Sequence, residues 1–170
     1  LQVILAYSLF MNIHNQEKSK LVNSVFDKVY KNYDLMNDIM SFGVHRLWKK
    51  NLIRWMNPQQ GNKIIDVASG TGDLAKIISE KNNNQNSICS VEPNKGMFEA
   101  GKKKLKHLKN IKWYLSSAEK LPFKDNTFDF YTISYGIRNV TNINQCLKEA
   151  LRVLKPGGHF LCLEFSKVEN

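Results

Sequence analysis

The chain has 170 residues, 42% hydrophobic and 24% charged, enough for one buried core and too apolar for disorder over most of its length. Its net charge of +10 permits attraction to an anionic membrane or a nucleic acid. Only Arg46, Arg54, Arg138 and Arg152 carry the guanidinium fork that suits phosphate, and Lys and Asn are spread throughout, as on a solvated surface.

Cys89, Cys146 and Cys162 are an odd, scattered set in apolar contexts, which argues against a disulfide framework and for a reducing compartment such as the cytoplasm. His14, His45, His107 and His159 have no metal-ligand spacing with them, so no metal site is expected. Leu1 to Met11 are mostly apolar, but the run is too short to span a bilayer and has no basic residues before it. Residue 1 is not Met, and Met11 opens a polar run. Met11 is therefore expected to be the true start, or the sequence a fragment, with residues 1–17 poorly ordered or non-native.

Leu21, Val22, Val25, Phe26, Val29, Tyr30 and Tyr33 recur at helical spacing over 18–33. A second helix is predicted from Leu47 to Met56, before Pro58 and Gly61 break the chain. Residues 18–60 thus read as an N-terminal helical cap, and 61–170 as an α/β domain. In that domain Lys63 to Val67 reads as a buried strand, Leu74 to Glu80 as a helix, Ile88 to Val91 as a strand and Met97 to Leu108 as a helix. Ile111 to Leu115 and Phe128 to Ser134 read as further strands. Ile143, Leu147, Ala150, Leu151 and Leu154 mark a helix capped by Thr141 or Asn142. Pro156-Gly157-Gly158 is expected to end it, and His159 to Phe165 to form a fifth strand. Such alternation predicts a parallel sheet with helices on both faces.

The first strand–helix turn is Asp66-Val67-Ala68-Ser69-Gly70-Thr71-Gly72-Asp73. In open α/β sheets ligands bind beyond the carboxyl ends of the strands, where glycines let a ligand approach the backbone. Glu92 ends the second strand, where a carboxylate can accept protons from both ribose hydroxyls of an adenosine. Gly70-Thr71-Gly72 with Ala75 also fits the loose dinucleotide pattern, and a purely structural turn stays open. Asp66, however, is charged where a nucleotide-binding strand is ordinarily apolar.

Together with Leu121-Pro122-Phe123, Asp125-Asn126-Thr127-Phe128-Asp129 and Leu154-Lys155-Pro156-Gly157-Gly158, this turn resembles class I S-adenosylmethionine-dependent methyltransferases. Tyr33-Asp34-Leu35-Met36-Asn37-Asp38, Met40-Ser41-Phe42-Gly43, His45-Arg46-Leu47-Trp48-Lys49, Gly136-Ile137-Arg138-Asn139-Val140 and Leu163-Glu164-Phe165-Ser166-Lys167 narrow the resemblance. They are similar to the ubiquinone/menaquinone C-methyltransferase family over about residues 25–167. The fold implied is a Rossmann-like sheet with an N-terminal helical extension. The match stops at Lys167 while relatives continue, so C-terminal strands are expected to be missing and the fragment to bind donor with little turnover.

The resemblance implies S-adenosylmethionine as cofactor, held by Thr71, by Glu92 where the family has Asp, by Ser117 and Ala118 at the adenine, and by Ser134 near the methionine half. Gly70 and Gly72 would provide clearance. Asp66 and Asp73 could each face the ligand's ammonium group or cap the helix. The implied acceptor is a polyprenylated benzoquinol or naphthoquinol, whose ring carbon becomes nucleophilic as the phenol loses its proton. Arg138 is the first catalytic candidate, for stabilising the phenolate or ordering water, with Asn139 and Tyr33 as partners; an ordinary salt bridge and helix packing are the plain alternatives. A lone histidine such as His45 is more often structural. Other expectations are peripheral contact at the inner face of the membrane through Lys102 to Lys109, and a homodimer or a quinone-biosynthesis complex. The competing readings are another small-molecule methyltransferase, a nicotinamide oxidoreductase, or a non-catalytic nucleic-acid-binding module. Scarce arginine and the lack of interleaved surface aromatics weigh against the last.

Overall fold

A computed structural model describes residues 44–81 and 83–165; the expected helix over 18–33, with Tyr33, lies outside them. The first described element, α1, is Val44–Met56. It stops where Asn57 takes a left-handed φ of 42° ahead of Pro58. There follow β1 (Lys63–Val67), α2 (Asp73–Lys81), β2 (Ser87–Glu92), α3 (Lys95–Lys104), β3 (Ile111–Leu115), β4 (Phe128–Ser134), a 3₁₀ turn (Ile137–Asn139), α4 (Ile143–Val153) and β5 (Leu154–Leu163).

The strands form one sheet in the order β3-β2-β1-β4-β5, every pair parallel. The chain winds outward from β1 to one edge and then returns through β4 to the other, so the topological switch point lies between β1 and β4. Successive side chains of the central strands point to opposite faces. Ile64 and Ile88 join Leu52, Ile53 and Met56 of α1 and Leu74, Ala75 and Ile78 of α2 on one side. Ile65, Val67 and Val91 join Cys146, Ala150 and Val153 of α4 on the other. A sheet covered on both faces requires such apolar central strands.

Two boundaries differ from the sequence reading by four residues or more. Helix α3 ends at Lys104 rather than Leu108; Leu105 and Leu108 turn into the core beside Ile111. Strand β5 begins at Leu154 rather than His159. Leu154 pairs with Phe128 and His159 with Phe130, so the intervening segment bulges out of the ladder. Pro156 and Gly157, the latter at φ 78°, interrupt the pairing without ending the strand. On α4 the buried positions are Cys146, Ala150 and Val153, whereas Leu147 and Leu151 are exposed.

Candidate active site

The carboxyl ends of β1, β2 and β4 converge at the switch point. After β1, Ala68, Gly70 and Gly72 all have positive φ, at 52°, 58° and 83°. The tight turn this makes is closed by Gly72 N donating to Ser69 O at 2.9 Å and Ser69 N to Val91 O at 3.1 Å. The clearance at Gly72 is used inside the protein: a Cβ there would come within 2.7 Å of Leu105 Cδ1 and 2.9 Å of the Trp113 ring.

Glu92, at the end of β2, is buried. Its Oε2 accepts from Gly70 N at 2.8 Å and its Oε1 from Asn94 N at 2.9 Å, while Asn94 caps α3 through Met97 N. The carboxylate is therefore fixed against the glycine turn. A carboxylate offers about four lone-pair sites, so one per oxygen remains to meet a pair of hydroxyls. Burial, only partly opposed by the Asn94 and Gly70 amides, pushes its pKa up to about 7. The group lacks the donors that would hold it ionised.

Asp66 and Thr132 lie side by side in register on β1 and β4. The Thr132 hydroxyl donates to Asp66 Oδ1 at 2.9 Å, but Asp66 Oδ2 is buried without a hydrogen-bond partner among the described residues. Burial pushes this carboxyl to about 7 as well, against the pull of Thr132 and Lys49. Asp73 differs. Lys104 Nζ lies 2.7 Å from its carboxylate and Lys49 Nζ 3.6 Å. Burial raises its pKa, but Lys49 and Lys104 outweigh burial and hold it below the usual range. Of the two aspartates left open by the sequence, Asp66 has the unmet oxygen and Asp73 is engaged by lysines.

Thr71 is buried and accepts from Lys104 Nζ at 3.3 Å. Ser117 follows β3 in a turn closed by Lys120 N donating to Ser117 O at 3.3 Å, and Ala118 packs in the core. Ser134 closes β4 with its Oγ buried and without a hydrogen-bond partner among the described residues.

Beyond β4 the chain turns sharply, with Tyr135 at φ 56°. Arg138 lies in the 3₁₀ turn, its guanidinium 5.8 Å from the Tyr135 ring and 5.5 Å from the Phe165 ring. It forms an ion pair with Glu164, just past β5. The salt bridge weighed as an alternative for Arg138 is thus present, and it sits at the same sheet edge as Ser134. Asn139 adjoins it, its amide donating to Gly136 O at 2.9 Å. His45 is buried in α1. Sequence reasoning missed Glu164 as a site residue, although it lies in a motif already singled out; only the β4–β5 register brings it to Arg138.

These groups match a ligand with two adjacent hydroxyls and a cation: Glu92 offers fixed acceptor sites, and Asp66 a carboxyl oxygen without a partner among the described residues. The fold is shared with solved methyltransferases. A putative S-adenosyl-L-methionine-dependent methyltransferase from Methanococcus maripaludis has a TM-score of 0.70 at 22% identity, covering 79% of this chain and 62% of the other. A SAM dependent methyltransferase from Aquifex aeolicus has a TM-score of 0.66 at 22% identity, covering 72% and 66%. In sequence, the ubiquinone/menaquinone biosynthesis C-methyltransferase UbiE of Rickettsia bellii is 52% identical over 95% of this chain and 67% of its own length. The mitochondrial 2-methoxy-6-polyprenyl-1,4-benzoquinol methylase of Dictyostelium discoideum is 44% identical over 95% of this chain, which spans 61% of that relative. The family model for ubiE/COQ5 methyltransferases matches residues 12–170, and the chain belongs to the ubiE/COQ5 methyltransferase family.

Proposed function

We propose that this chain transfers a methyl group from S-adenosylmethionine to a ring carbon of a polyprenylated benzoquinol or naphthoquinol, in ubiquinone or menaquinone synthesis. The carrying observation is the pair of buried carboxylates with unmet hydrogen-bonding capacity, Glu92 and Asp66, that flank the glycine turn. Glu92 takes the ribose hydroxyls, with its second lone pairs free for them. Asp66 Oδ2 takes the ammonium group. Thr71 and Gly70 line the turn, Ser117 and Ala118 lie at the adenine, and Ser134 at the methionine half. When bound, the sulfonium supplies an electrophilic methyl group.

What remains for the protein is to hold the acceptor in line, exclude water and stabilise charge on the phenol oxygen. A guanidinium is a donor with no acceptor site, so the part of Arg138 is to stabilise the phenolate. Asn139, the next residue in the turn, is its partner in that role. The acceptor's prenyl tail resides in lipid, which favours peripheral contact with anionic membranes through Lys102, Lys103, Lys106 and Lys109. No helix among the described residues is long and apolar enough to cross a membrane. A homodimer or a quinone-biosynthesis complex would be compatible with this role.

The test is complementation of a bacterial strain lacking the quinone C-methyltransferase, followed by mass spectrometry of its quinones, alongside binding of radiolabelled S-adenosylmethionine and of NADH. Donor binding is expected of the chain, and methylated quinone is the result that supports the acceptor assignment. Binding of NADH in place of the sulfonium donor would refute the reading.

A further inference from the structure

We infer that Glu164 is the base that takes the proton from the acceptor's ring hydroxyl, with Arg138 as the cation that orients it; this rests on the quinol reading above. Ser134 and Leu163 are register partners on β4 and β5, and Tyr135 N donates to Leu163 O at 2.7 Å. The next residues, Tyr135 and Glu164, therefore leave the sheet side by side. Glu164 Oε1 is engaged by Arg138 Nη1 and by Phe165 N at 2.9 Å. Its Oε2 is buried with no hydrogen-bond partner among the described residues, as are Tyr135 Oη and Ser134 Oγ.

Three buried oxygens without partners, gathered where two strands end, are costly to maintain in a folded protein. A ligand carrying hydroxyl groups would satisfy them. The neighbouring surface is aromatic: Tyr135 and Phe165 pack on one another with ring centroids 5.0 Å apart, and Trp48 is edge-on to Phe165 at 5.8 Å, an apolar face against which a flat ring can lie. One carboxylate oxygen, one guanidinium and apolar rings are the inventory needed to grip a phenol and remove its proton.

The other groups present suit that step less well. A guanidinium offers donors and no acceptor, which suits Arg138 to orienting rather than to taking a proton. Burial and the nearby Glu164 charge push the Tyr135 phenol up to about 12, so it keeps its proton and donates. Glu164 has an acceptor site left over on its buried Oε2, on a side chain that is 17% exposed as a whole. In the step, the ring O–H bond breaks with its electron pair left on oxygen, and the proton bonds to Glu164 Oε2. The ring carbon then takes the methyl as its bond to sulfur breaks with the electron pair left on sulfur, the resulting dienone loses the ring hydrogen as a proton, and the ring oxygen takes one proton back, so one proton is released in all. Glu164 delivers that proton to water and returns to the carboxylate.

The plain alternative is that Glu164 only anchors Arg138. Steady-state kinetics of the full chain with S-adenosylmethionine and a short-chain quinol separate the two. Glu164→Gln keeps the shape and an acceptor for Arg138 but not the basicity. It should lower kcat by about 10²–10⁴-fold, abolish the acid limb of the kcat–pH profile, and leave donor affinity and quinol binding, read by Trp48 fluorescence, within twofold. Glu164→Asp should recover part of kcat and keep an acid limb. A Gln variant with kcat within threefold of wild type and an unchanged profile would overturn the inference. If the Gln variant does not fold, the Asp variant decides: a displaced acid limb supports the role, and a profile superimposable on wild type overturns it. A wild type that binds the donor but neither binds nor methylates any quinol would instead sink the quinol reading, and this inference with it.

Discussion

Donor binding should be coupled to ionisation of Glu92, and pH is the perturbation that reveals it. In the ligand-free protein burial raises this carboxyl from 4.5 to about 7. Hydrogen bonds donated by ribose hydroxyls would favour the charged form and pull the pKa down again. Binding then releases a proton below pH 7, and affinity falls as pH falls. From pH 8 to pH 6 the loss from Glu92 alone is roughly tenfold. Asp66, raised from 3.8 to about 7, should add a similar loss when an ammonium group sits at its Oδ2. The two contributions are separable by calorimetry. 5′-Methylthioadenosine keeps the ribose and lacks the amino-acid group, so its affinity should report Glu92; S-adenosylmethionine should report both. Glu92→Gln should flatten the first profile and leave part of the second. Stability of the ligand-free fold should run the other way. Both groups have folded pKa values above their unfolded ones, so the stability they contribute is full below about pH 4 and is lost as pH rises through about 7. Acidification from pH 8 to pH 6 should stabilise the empty protein by about 1 kcal/mol per group. Methylthioadenosine affinity that is flat from pH 6 to 8, or a Glu92→Gln slope equal to wild type, would refute the reasoning.

Arg138→Ala should cut turnover by about 10²-fold or more with S-adenosylmethionine affinity by calorimetry nearly unchanged; equal loss of both would reduce Arg138 to a structural ion pair. Gly101→Ala puts a Cβ 2.3 Å from the Trp113 ring. The overpacking should outweigh the gain in helix propensity and cost about 1–2 kcal/mol, seen as a melting temperature lower by several degrees, whereas an unchanged or raised value would show that Trp113 yields freely. Co-sedimentation with anionic vesicles should be present at low salt and fall as salt rises; no binding at low salt would remove the lysine face from the membrane.

The strands were the most legible part of the molecule because burial on both faces leaves little choice of residue. Ile64-Ile65 and Phe128 to Ser134 can hardly be anything else. Asp66 stood out for the same reason, as a charge inside such a run, and Glu92 by its distance from Gly70. What could not be read depends on contacts between distant residues. Nothing local distinguishes Glu164 from any glutamate at a strand end until β5 is laid beside β4. Gly72 looked like ligand clearance, yet its missing Cβ makes room for Leu105 and Trp113. The ion pairs of Asp73 with Lys49 and Lys104 likewise join three separate helices. Pro156-Gly157-Gly158 misled because this local breaker was read as the end of the helix, whereas α4 ends at Val153 and β5 already runs from Leu154 through the bulge.

The donor and acceptor sides of the proposed site touch through two strained turns. Ala68, after β1, and Tyr135, after β4, both hold left-handed φ values of 52° and 56° without being glycine, conformations that cost on the order of 1–3 kcal/mol each. Between them lies Gly136. A Cβ on Gly136 would approach the Ala68 Cβ to 2.5 Å, so the absence of a side chain there lets the turn carrying Gly70 close against the turn leading to Arg138. The relative position of the two ligands is thereby set by backbone contact at the switch point. Gly136→Ala should force the turns apart by several tenths of an ångström or more. Alignment of reacting groups is far more sensitive to such a displacement than binding is. Turnover with a short-chain quinol should therefore fall by tenfold or more, while affinity for S-adenosylmethionine changes by less than threefold. A folded Gly136→Ala protein with wild-type turnover would mean that the two turns are independent, and that alignment is set elsewhere.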